Sequence, residues 1–395
     1  MQSNMPFEHL PKDTVIMPRP LILSVVGARP NFMKVAPLHR VFTTPDFALL
    51  VEHRIVHTGQ HYDAAMSDAF FRDLEMPEPA YFLGVGSGSH AEQTAKVMVE
   101  FEKVCMDAKP ALVLVVGDVN STIAATLTAT KLGISVAHVE AGLRSGDRTM
   151  PEELNRIATD ALSDYAFVTE ESGVQNLLRE NFRAERIHLV GNTMIDSVHF
   201  ALPKARQSSI LTDLHIEPHS YALVTLHRPS NVDDAAQLEA LVEMLLDAAK
   251  TCAVVFPVHP RTRKNLERFG LLERIAAQHR FILTEPQGYV PFLGLMMNAR
   301  FVMTDSGGVQ EETTALGVPC LTLRTTTERP ITCEIGTNVL IPPTPQNIHT
   351  ALRSALEGSF RQISPKPTVP PLWDGKAAER IAAIVVRECL PRAVE

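Results

Sequence analysis

The chain has 395 residues, of which 45% are hydrophobic and 21% charged, and its formal net charge is −8. This length is sufficient for two globular domains. The acidic balance argues against a broad nucleic-acid or anionic-membrane surface, because such a surface needs clustered Lys and Arg. The five cysteines form no CxxC pair and no regular framework, so the sequence predicts neither a zinc site nor disulfides and is typical of a reducing cytoplasm.

The amino-terminal segment, residues 1–19, contains prolines and charges but no apolar stretch behind a basic start. We therefore predict a flexible tail and not a secretory signal. No run in the sequence is apolar for long enough to span a bilayer. These features predict a cytoplasmic protein without a membrane partner.

Apolar, strand-like runs alternate with helical segments through residues 20–199, as in LILSVVGA, ALVLVVGD and SVAHVEAG. Continuous apolar strands joined by helices predict a parallel sheet that is covered on both faces. The pattern begins again in residues 200–370, with YALVTLHRPSN, AVVFPVHPR and FVMTDSGG. The sequence thus predicts an α/β protein of two Rossmann-like, doubly wound domains with a cleft between them. Residues 371–395 are predicted to cross back as a helix that packs on the first domain.

Three carboxylates are predicted to meet at this cleft. Asp118 and Glu140 end strands, and Glu152 follows Pro151 in the first turn of a helix. Taken singly, each has an ordinary structural explanation, as a helix cap, a buried acid or a first-turn acid. Together, opposite a diphosphate site, they favour proton transfer at a sugar, because general acid–base chemistry needs paired groups with separated pKa values.

Two segments are suited to bind a diphosphate. In TDSGGVQEE, the residues Ser306, Gly307 and Gly308 would expose backbone N–H groups at a helix start, and Glu312 could accept from a ribose diol. A simple cap and a tight turn would also explain Ser306 and one glycine. In GARPNFMKVAPL, Arg29 and Lys34 follow a strand end and are suited to phosphate contact. His227 in TLHRPSN is interpreted as part of a phosphate clamp, and Arg329 in TTTERP could reach the same diphosphate.

Motifs spread over nearly the whole chain resemble those of a known family. They are GARPNFMKVAPL, TGQHYD, GDVNST, HVEAGLRSGDRTMPEELNR, VGNTMIDS, TLHRPSN, PQGYVPFLGLM, TDSGGVQEE and TTTERP. In this order they are similar to the non-hydrolysing UDP-N-acetylglucosamine 2-epimerases. The resemblance implies a GT-B architecture, no cofactor and no metal, a UDP-sugar substrate, a homodimer, and a place in polysaccharide biosynthesis.

The resemblance also implies roles for individual residues. Asp118, Glu140 and Glu152 match the acid/base carboxylates, whereas Arg29, Lys34 and His227 match the active-site and diphosphate positions. Ser306, Gly307, Gly308 and Glu312 match diphosphate and ribose contacts, and Phe292 matches the residue beside uracil. The implied reaction is reversible C2 epimerisation of UDP-N-acetylglucosamine to UDP-N-acetylmannosamine, by elimination of UDP and its re-addition through 2-acetamidoglucal.

Three alternatives stay open at this point. A hydrolysing 2-epimerase would release UDP and free N-acetylmannosamine. A GT-B glycosyltransferase would use a similar UDP site but would not need three carboxylates in the first domain. A catalytically silent nucleotide-sugar sensor would have no need to keep Asp118, Glu140 and Glu152.

The chain departs from the family pattern where regulated bacterial members bind a second UDP-N-acetylglucosamine. Tyr62 and Asp63 stand where those members carry an Arg/Gln pair, and Pro229 stands where they carry a second Arg. We therefore predict that this activating site is altered or absent, so that the epimerisation rate depends hyperbolically on substrate concentration. A sigmoidal curve, or a reverse reaction that strictly needs added UDP-N-acetylglucosamine, would contradict this prediction.

Overall fold

The computed structural model describes residues 19–59, 71–359 and 368–390. The predicted tail therefore lies outside the described residues up to residue 18, as do Tyr62 and Asp63. The described chain forms two parallel β-sheets covered by helices. This architecture confirms the predicted α/β class, with two doubly wound sheets in a GT-B-like arrangement.

The first sheet has the strand order β3-β2-β1-β4-β5-β6-β7 and the second the order β10-β9-β8-β11-β12-β13. The strands are β1 (Leu21–Val26), β2 (Glu52–His57), β3 (Tyr81–Phe82), β4 (Leu112–Val116), β5 (Ser135–Ala141), β6 (Tyr165–Val168), β7 (Ile187–Leu189), β8 (Tyr221–Thr225), β9 (Ala253–Pro257), β10 (Phe281–Thr284), β11 (Phe301–Thr304), β12 (Cys320–Thr322) and β13 (Asn338–Leu340). Both orders reverse direction beside the first strand, and ligands bind at the carboxyl ends of strands at such a switch point.

The described helices connect these strands. They are α1 (Arg29–Phe42), α2 (Pro45–Ala48), α3 (His90–Ala108), α4 (Asn120–Lys131), α5 (Pro151–Leu162), α6 (Glu171–Arg179), α7 (Thr193–Arg206), α8 (Ile210–Asp213), α9 (Pro229–Val232), α10 (Ala235–Ala248), α11 (Pro260–Arg268), α12 (Leu272–Ala276), α13 (Tyr289–Met297), α14 (Gly307–Leu316), α15 (Ile331–Glu334), α16 (Pro345–Leu356) and α17 (Ala377–Ile384). Within the described ranges, none of these helices combines the length and apolar character that a membrane crossing requires.

Strand β4 shows why the apolar runs become central strands. All five of its residues, LVLVV, are buried. Such a strand cannot present one face to water, so it needs helices on both sides of its sheet. The carboxyl end of β4 then opens directly into Gly117 and Asp118, which places a polar group at the edge where ligands bind.

Helix α7 connects the two halves of the fold. It packs against α1 on one side and α13 on the other, and the predicted boundary between residues 199 and 200 falls inside it. The predicted domain limits remain predictions. Asp196 on α7 accepts the backbone N–H groups of Ala377 (3.1 Å) and Ala378 (2.7 Å), and so caps the start of α17.

The last described segment is fixed to the first sheet by further hydrogen bonds. The indole Nε1–H of Trp373 donates to the Thr169 carbonyl over 3.1 Å, and the Tyr165 hydroxyl donates to the Glu388 carbonyl over 2.7 Å. Ile381 and Val385 belong to the hydrophobic cluster that also contains the first-sheet strands. The carboxyl-terminal helix therefore completes the core of the amino-terminal half.

A glycine pair tests this crossing. Gly191 has a φ of +88° and a Cβ there would lie 2.1 Å from the Leu372 carbonyl oxygen, whereas Gly133 has a φ of +73° with open space around it. Gly133→Ala should lose about 1 to 2 kcal/mol of unfolding free energy, because only the left-handed backbone is strained. Gly191→Ala should lose clearly more, because the crossing segment must also move. Equal losses in denaturant melts of the two variants would show that the crossing is not tightly packed.

Candidate active site

The central feature of the site is a bulge in β5. In the pairing of β5 with β6, Val139 lies opposite Phe167 and Ala141 opposite Val168, so Glu140 is an extra residue without a partner. Its φ is +73°, a left-handed conformation that costs a residue with a side chain about 1 to 2 kcal/mol. Bulges of this kind redirect a side chain and occur often beside active sites.

Two cations hold the Glu140 carboxylate, which is 4% exposed. Lys34 on α1 forms an ion pair with Oε2. The Arg329 guanidinium, which comes from the second half of the chain, lies 2.7 Å from Oε1. Lys34, which was predicted to contact the diphosphate, therefore pairs with the carboxylate of Glu140. The backbone of Arg29 begins α1, but its side chain is not among those that the structure describes.

Asp118 lies at the end of β4 with its side chain 22% exposed, and it is bound by Arg156. Nε and Nη2 of Arg156 donate to Oδ2 of Asp118 over 3.0 and 2.6 Å. Burial would raise the pKa of Asp118, but the charges of Arg156, then Lys34 and Arg329, hold this pKa below its ordinary value. Asp118 is therefore ionised near neutral pH and available as a base.

The two acidic residues in the first turn of α5 have different environments. Glu153 is buried, accepts the backbone N–H groups of Ser145 and Gly146 over 2.9 Å each, and pairs with Arg156. Glu152 is exposed. Glu152 lies near Arg228 of the second half, because its negative charge raises the pKa of Arg228. Burial, followed by the charge of Arg324, lowers that pKa.

Arg329 is the hub of the charged cluster. Besides Glu140, it pairs with Glu328 and, through Nε, with Oε1 of Glu311 over 2.7 Å. Asn192 donates to the same Glu311 oxygen over 2.8 Å. The Arg329 guanidinium is therefore turned towards the carboxylates of Glu140, Glu328 and Glu311. Burial alone would lower the pKa of Arg329, but the negative charges of these carboxylates raise it.

His227 lies after β8 with a 42% exposed side chain, and its ring is held by Asp305. His227 Nδ1 is 3.0 Å from Asp305 Oδ1, while the backbone N–H groups of His227 and Arg228 donate to the same carboxylate. Asp305 itself is fully buried. A carboxylate on Nδ1 fixes the ring orientation and leaves the other nitrogen for a ligand.

The predicted diphosphate segment forms the start of α14. Ser306 precedes the helix, Gly307 begins it, and Gly308 follows. A Cβ on Gly307 would lie 2.7 Å from the Arg329 guanidinium, so a larger residue would displace the charged cluster. The first backbone N–H groups of such a helix have no intrahelical partner and attract anions.

Glu312 and Phe292 lie deeper at the same end of the second sheet. Glu312 is buried. Burial raises the pKa of the Tyr289 hydroxyl, and the charge of Glu312 and a hydrogen bond between the two side chains raise it further. Phe292 on α13 is part-buried against the cluster that contains Leu295 and Met296. Among the described residues, no group of three or more His, Cys, Asp or Glu side chains is arranged to hold a metal ion.

The structure therefore brings Asp118, Glu140, Lys34 and Arg329 into one cluster and leaves Glu152 and His227 more open. Asp305 and Arg156 are two residues of the site that the sequence did not predict. Asp305 directly precedes the SGG segment, at the end of β11, and Arg156 lies one turn after Glu152 on α5. Both positions were within quoted motifs, but only the fold shows that they hold His227 and Asp118.

Glu170 is a buried acid at the edge of this cluster, directly after β6. The Ser172 hydroxyl donates to its Oε1 over 2.6 Å, and the backbone N–H of Ile331 also bonds to this carboxyl group. Burial raises the pKa of Glu170 to about 7, although the Ser172 hydrogen bond opposes this. Glu170 therefore titrates in the range of an ordinary assay buffer.

Three comparisons with known proteins agree with one another. A family model described as UDP-N-acetylglucosamine 2-epimerase matches residues 48–386. The UDP-N-acetylglucosamine 2-epimerase of Methanococcus maripaludis is 40% identical over 372 residues, with 93% of this chain and 98% of that relative covered. The UDP-2,3-diacetamido-2,3-dideoxy-D-glucuronate 2-epimerase of Pseudomonas aeruginosa is 40% identical over 340 residues, with 85% and 92% covered.

A solved structure is similar in both sequence and shape. The crystal structure of Methanocaldococcus jannaschii UDP-GlcNAc 2-epimerase, in complex with UDP-GlcNAc and UDP, superposes with a TM-score of 0.83 at 40% identity. The superposition covers 93% of this chain and 99% of that structure.

Glu170 makes stability depend on pH in a predictable direction. Because its pKa is about 7 in the folded state and near 4.5 in the unfolded state, folding stability falls as pH rises between these values. Glu170→Gln should remove this loss, so it should exceed the wild type by up to about 3 kcal/mol at pH 8.5 and not at pH 5. Glu171→Gln, an exposed neighbour, should show no such difference. A Glu170→Gln effect that does not change with pH in thermal melts would contradict the assignment.

Proposed function

Because this chain belongs to the family of UDP-N-acetylglucosamine 2-epimerases, we propose that it interconverts UDP-N-acetylglucosamine and UDP-N-acetylmannosamine at C2. The resemblance seen in the sequence motifs is confirmed, and the chain is an epimerase enzyme. The observation that carries the proposed mechanism is the bulged Glu140, held between Lys34 and Arg329 beside the ionised Asp118.

The reaction proceeds by elimination and re-addition. A carboxylate removes the proton from C2 while the bond between C1 and the UDP oxygen breaks, which leaves a C1–C2 double bond in 2-acetamidoglucal. UDP then returns to C1 as a proton is delivered to the other face of C2. Inversion at C2 requires acid–base groups on both faces of the sugar, and one carboxylate cannot supply both.

Asp118 and Glu140 are suited to these two roles because they lie at the ends of adjacent strands with separate partners. Arg156 keeps Asp118 ionised, whereas Lys34 and Arg329 surround Glu140. Glu152 is exposed and free to approach a ligand that enters the cleft, which is compatible with a third acid–base position.

The departing UDP needs stabilisation as negative charge grows on its oxygen. Arg329 is already neutralised by three carboxylates, so it contributes mainly by holding Glu140. The start of α14 with Ser306, Gly307 and Gly308 is suited to the diphosphate. Nε2 of His227 donates to it when the ring, held at Nδ1 by Asp305, carries hydrogens on both nitrogens. Glu312 and Phe292 are assigned to the ribose and the uracil, and Arg29 to the diphosphate, from the family resemblance.

The sugar itself has a second candidate. The Pseudomonas aeruginosa relative is named for a UDP-2,3-diacetamido-2,3-dideoxy-D-glucuronate substrate and is as similar in identity as the N-acetylglucosamine relative. The same elimination chemistry serves both sugars, because each carries a 2-acetamido group and a UDP at C1. We take UDP-N-acetylglucosamine as the first candidate because the matched family model carries its name.

We also propose that the enzyme is a cytoplasmic homodimer that supplies a sugar for polysaccharide biosynthesis. The family resemblance supports the dimer, and the five cysteines are all free thiols, as expected in a reducing compartment. Sedimentation velocity at micromolar concentration would distinguish a dimer from a monomer, and a monomer would overturn this assignment.

Proton NMR in D2O tests the reaction directly. With UDP-N-acetylglucosamine, we expect UDP-N-acetylmannosamine to appear and deuterium to replace the C2 proton in both sugars. Free N-acetylmannosamine with UDP would instead identify a hydrolysing enzyme. If nothing exchanges, the same assay with the diacetamido-dideoxy-glucuronate sugar separates a different substrate from a protein that does not catalyse the reaction.

The carboxylates are tested in the same assay. Asp118→Asn and Glu140→Gln should each reduce turnover about 100-fold or more while UDP still binds, because UDP recognition lies mainly in the second half. Glu152→Gln should also lose turnover. Its matched control is Glu171→Gln, which changes an exposed first-turn acid on α6 and should retain activity. Full activity in both Asp118→Asn and Glu140→Gln would overturn the assignment of the acid–base pair.

A further inference from the structure

We propose that His138 is a positioning residue for the epimerisation. As a buried, doubly protonated imidazolium, it holds the three elements that carry Asp118, Glu140 and Glu152 in fixed positions relative to one another. This role rests on the proposed function, whereas the protonation state rests on geometry alone. His138 does not belong to the set of side chains assigned to the substrate, and its side chain is fully buried in β5.

Both ring nitrogens of His138 face acceptors. Nε2 lies 2.8 Å from the Gly117 carbonyl oxygen, and Nδ1 lies 2.6 Å from Oδ1 of Asp160. A carbonyl oxygen can only accept, so Nε2 must carry a hydrogen. A neutral imidazole has one N–H, so a neutral ring would need Asp160 to be protonated and to donate to Nδ1.

The other contacts of Asp160 argue that it is ionised. Its Oδ2 accepts the Gly142 backbone N–H over 3.1 Å and lies 2.7 Å from the Arg144 guanidinium. With an ionised Asp160, Nδ1 also carries a hydrogen, and the ring is an imidazolium.

The charges around the ring alternate in sign. The chain of contacts runs from His138 to Asp160, from Asp160 to Arg144, and from Arg144 to Glu180. With His138 charged, the four groups sum to zero. The charged ring thus begins a row of contacts in which positive and negative groups alternate, from the buried His138 to the exposed Glu180.

The imidazolium connects the acid–base groups through the backbone and one helix. Gly117 directly precedes Asp118, so the bond to its carbonyl fixes the end of β4. Asp160 lies one turn after Arg156 on α5, the same helix that starts with Glu152, and Arg156 binds Asp118. Glu140 follows His138 by two residues on β5. One side chain thus fixes three segments relative to one another.

His53 offers a matched comparison inside the same sheet. It is also buried, and its two nitrogens lie 2.8 Å from the Ser24 hydroxyl and 2.9 Å from His39 Nδ1. Both of these partners can donate as well as accept, so a neutral ring satisfies the site. Burial, followed by the charge of His39, lowers the pKa of His53 to about 3, in agreement with a neutral ring.

The first test is NMR of the full-length protein labelled with nitrogen-15 in histidine, at pH 8. We expect one buried ring with hydrogens on both nitrogens, assigned to His138 by its loss in His138→Gln. Absence of any such ring in the wild type would overturn the protonation state, whatever the substrate and even if the variant did not fold.

The second test separates positioning from folding. Both N–H hydrogens of a Gln side chain are on one nitrogen, so His138→Gln does not reproduce the two donors that the ring directs from separate nitrogens at Gly117 and Asp160. We therefore expect kcat to fall about 10-fold to 100-fold with little change in KM. His53→Phe keeps a ring in β2 but removes both hydrogen-bonding nitrogens, so it should lower the melting temperature and leave kcat of the folded protein unchanged. Equal kcat per folded molecule in wild type and His138→Gln would overturn the positioning role. If the wild type turns over neither UDP-sugar, the proposed function fails, while the NMR result still decides the charge of His138.

Discussion

The ion pairs of Glu140 with Lys34 and Arg329 are the interaction on which the rest of the site depends. A carboxylate that is 4% exposed is stable in its charged form only if cations accompany it. One of these cations comes from α1 beside the first sheet and the other from the loop after β12 of the second sheet. The pairing of Glu140 with both cations therefore requires the two halves of the molecule to lie close together.

Because of this arrangement, the positive groups of the cleft have different roles. Arg329 and Arg156 are each shared between carboxylates, so their charge is largely neutralised within the protein. An incoming diphosphate must then be stabilised by groups that are not neutralised in this way. The backbone N–H groups at the start of α14 fit this requirement, because they are oriented before the ligand arrives.

Much of the fold follows from the sequence, because continuous apolar runs such as LVLVV require a sheet covered on both faces. The proximity of Asp118 and Glu140 also follows from the sequence, because β4 and β5 are adjacent parallel strands that end at one edge of the sheet.

The bulge at Glu140 was not predictable, since its left-handed backbone depends on the pairing of β5 with β6. Glu152 and Glu153 are equally acidic first-turn residues in sequence, and only the loop at Ser145 and Gly146 decides which one is buried. Arg156, Asp305 and His138 acquire their roles from contacts across 20 or more residues, which local patterns do not contain.

The packing of the carboxyl-terminal helix has a consequence for synthesis of the chain. Ile381, Val385 and Cys389 belong to the same hydrophobic cluster as the first-sheet strands, and Asp196 caps α17 from within the connecting helix. On the ribosome, where amino-terminal units generally fold first, the first half can form its sheet early, but part of its apolar surface stays uncovered until residues 377–389 emerge. The second half is synthesised during that interval. The amino-terminal half of this enzyme is thus synthesised before the second half but completed after it.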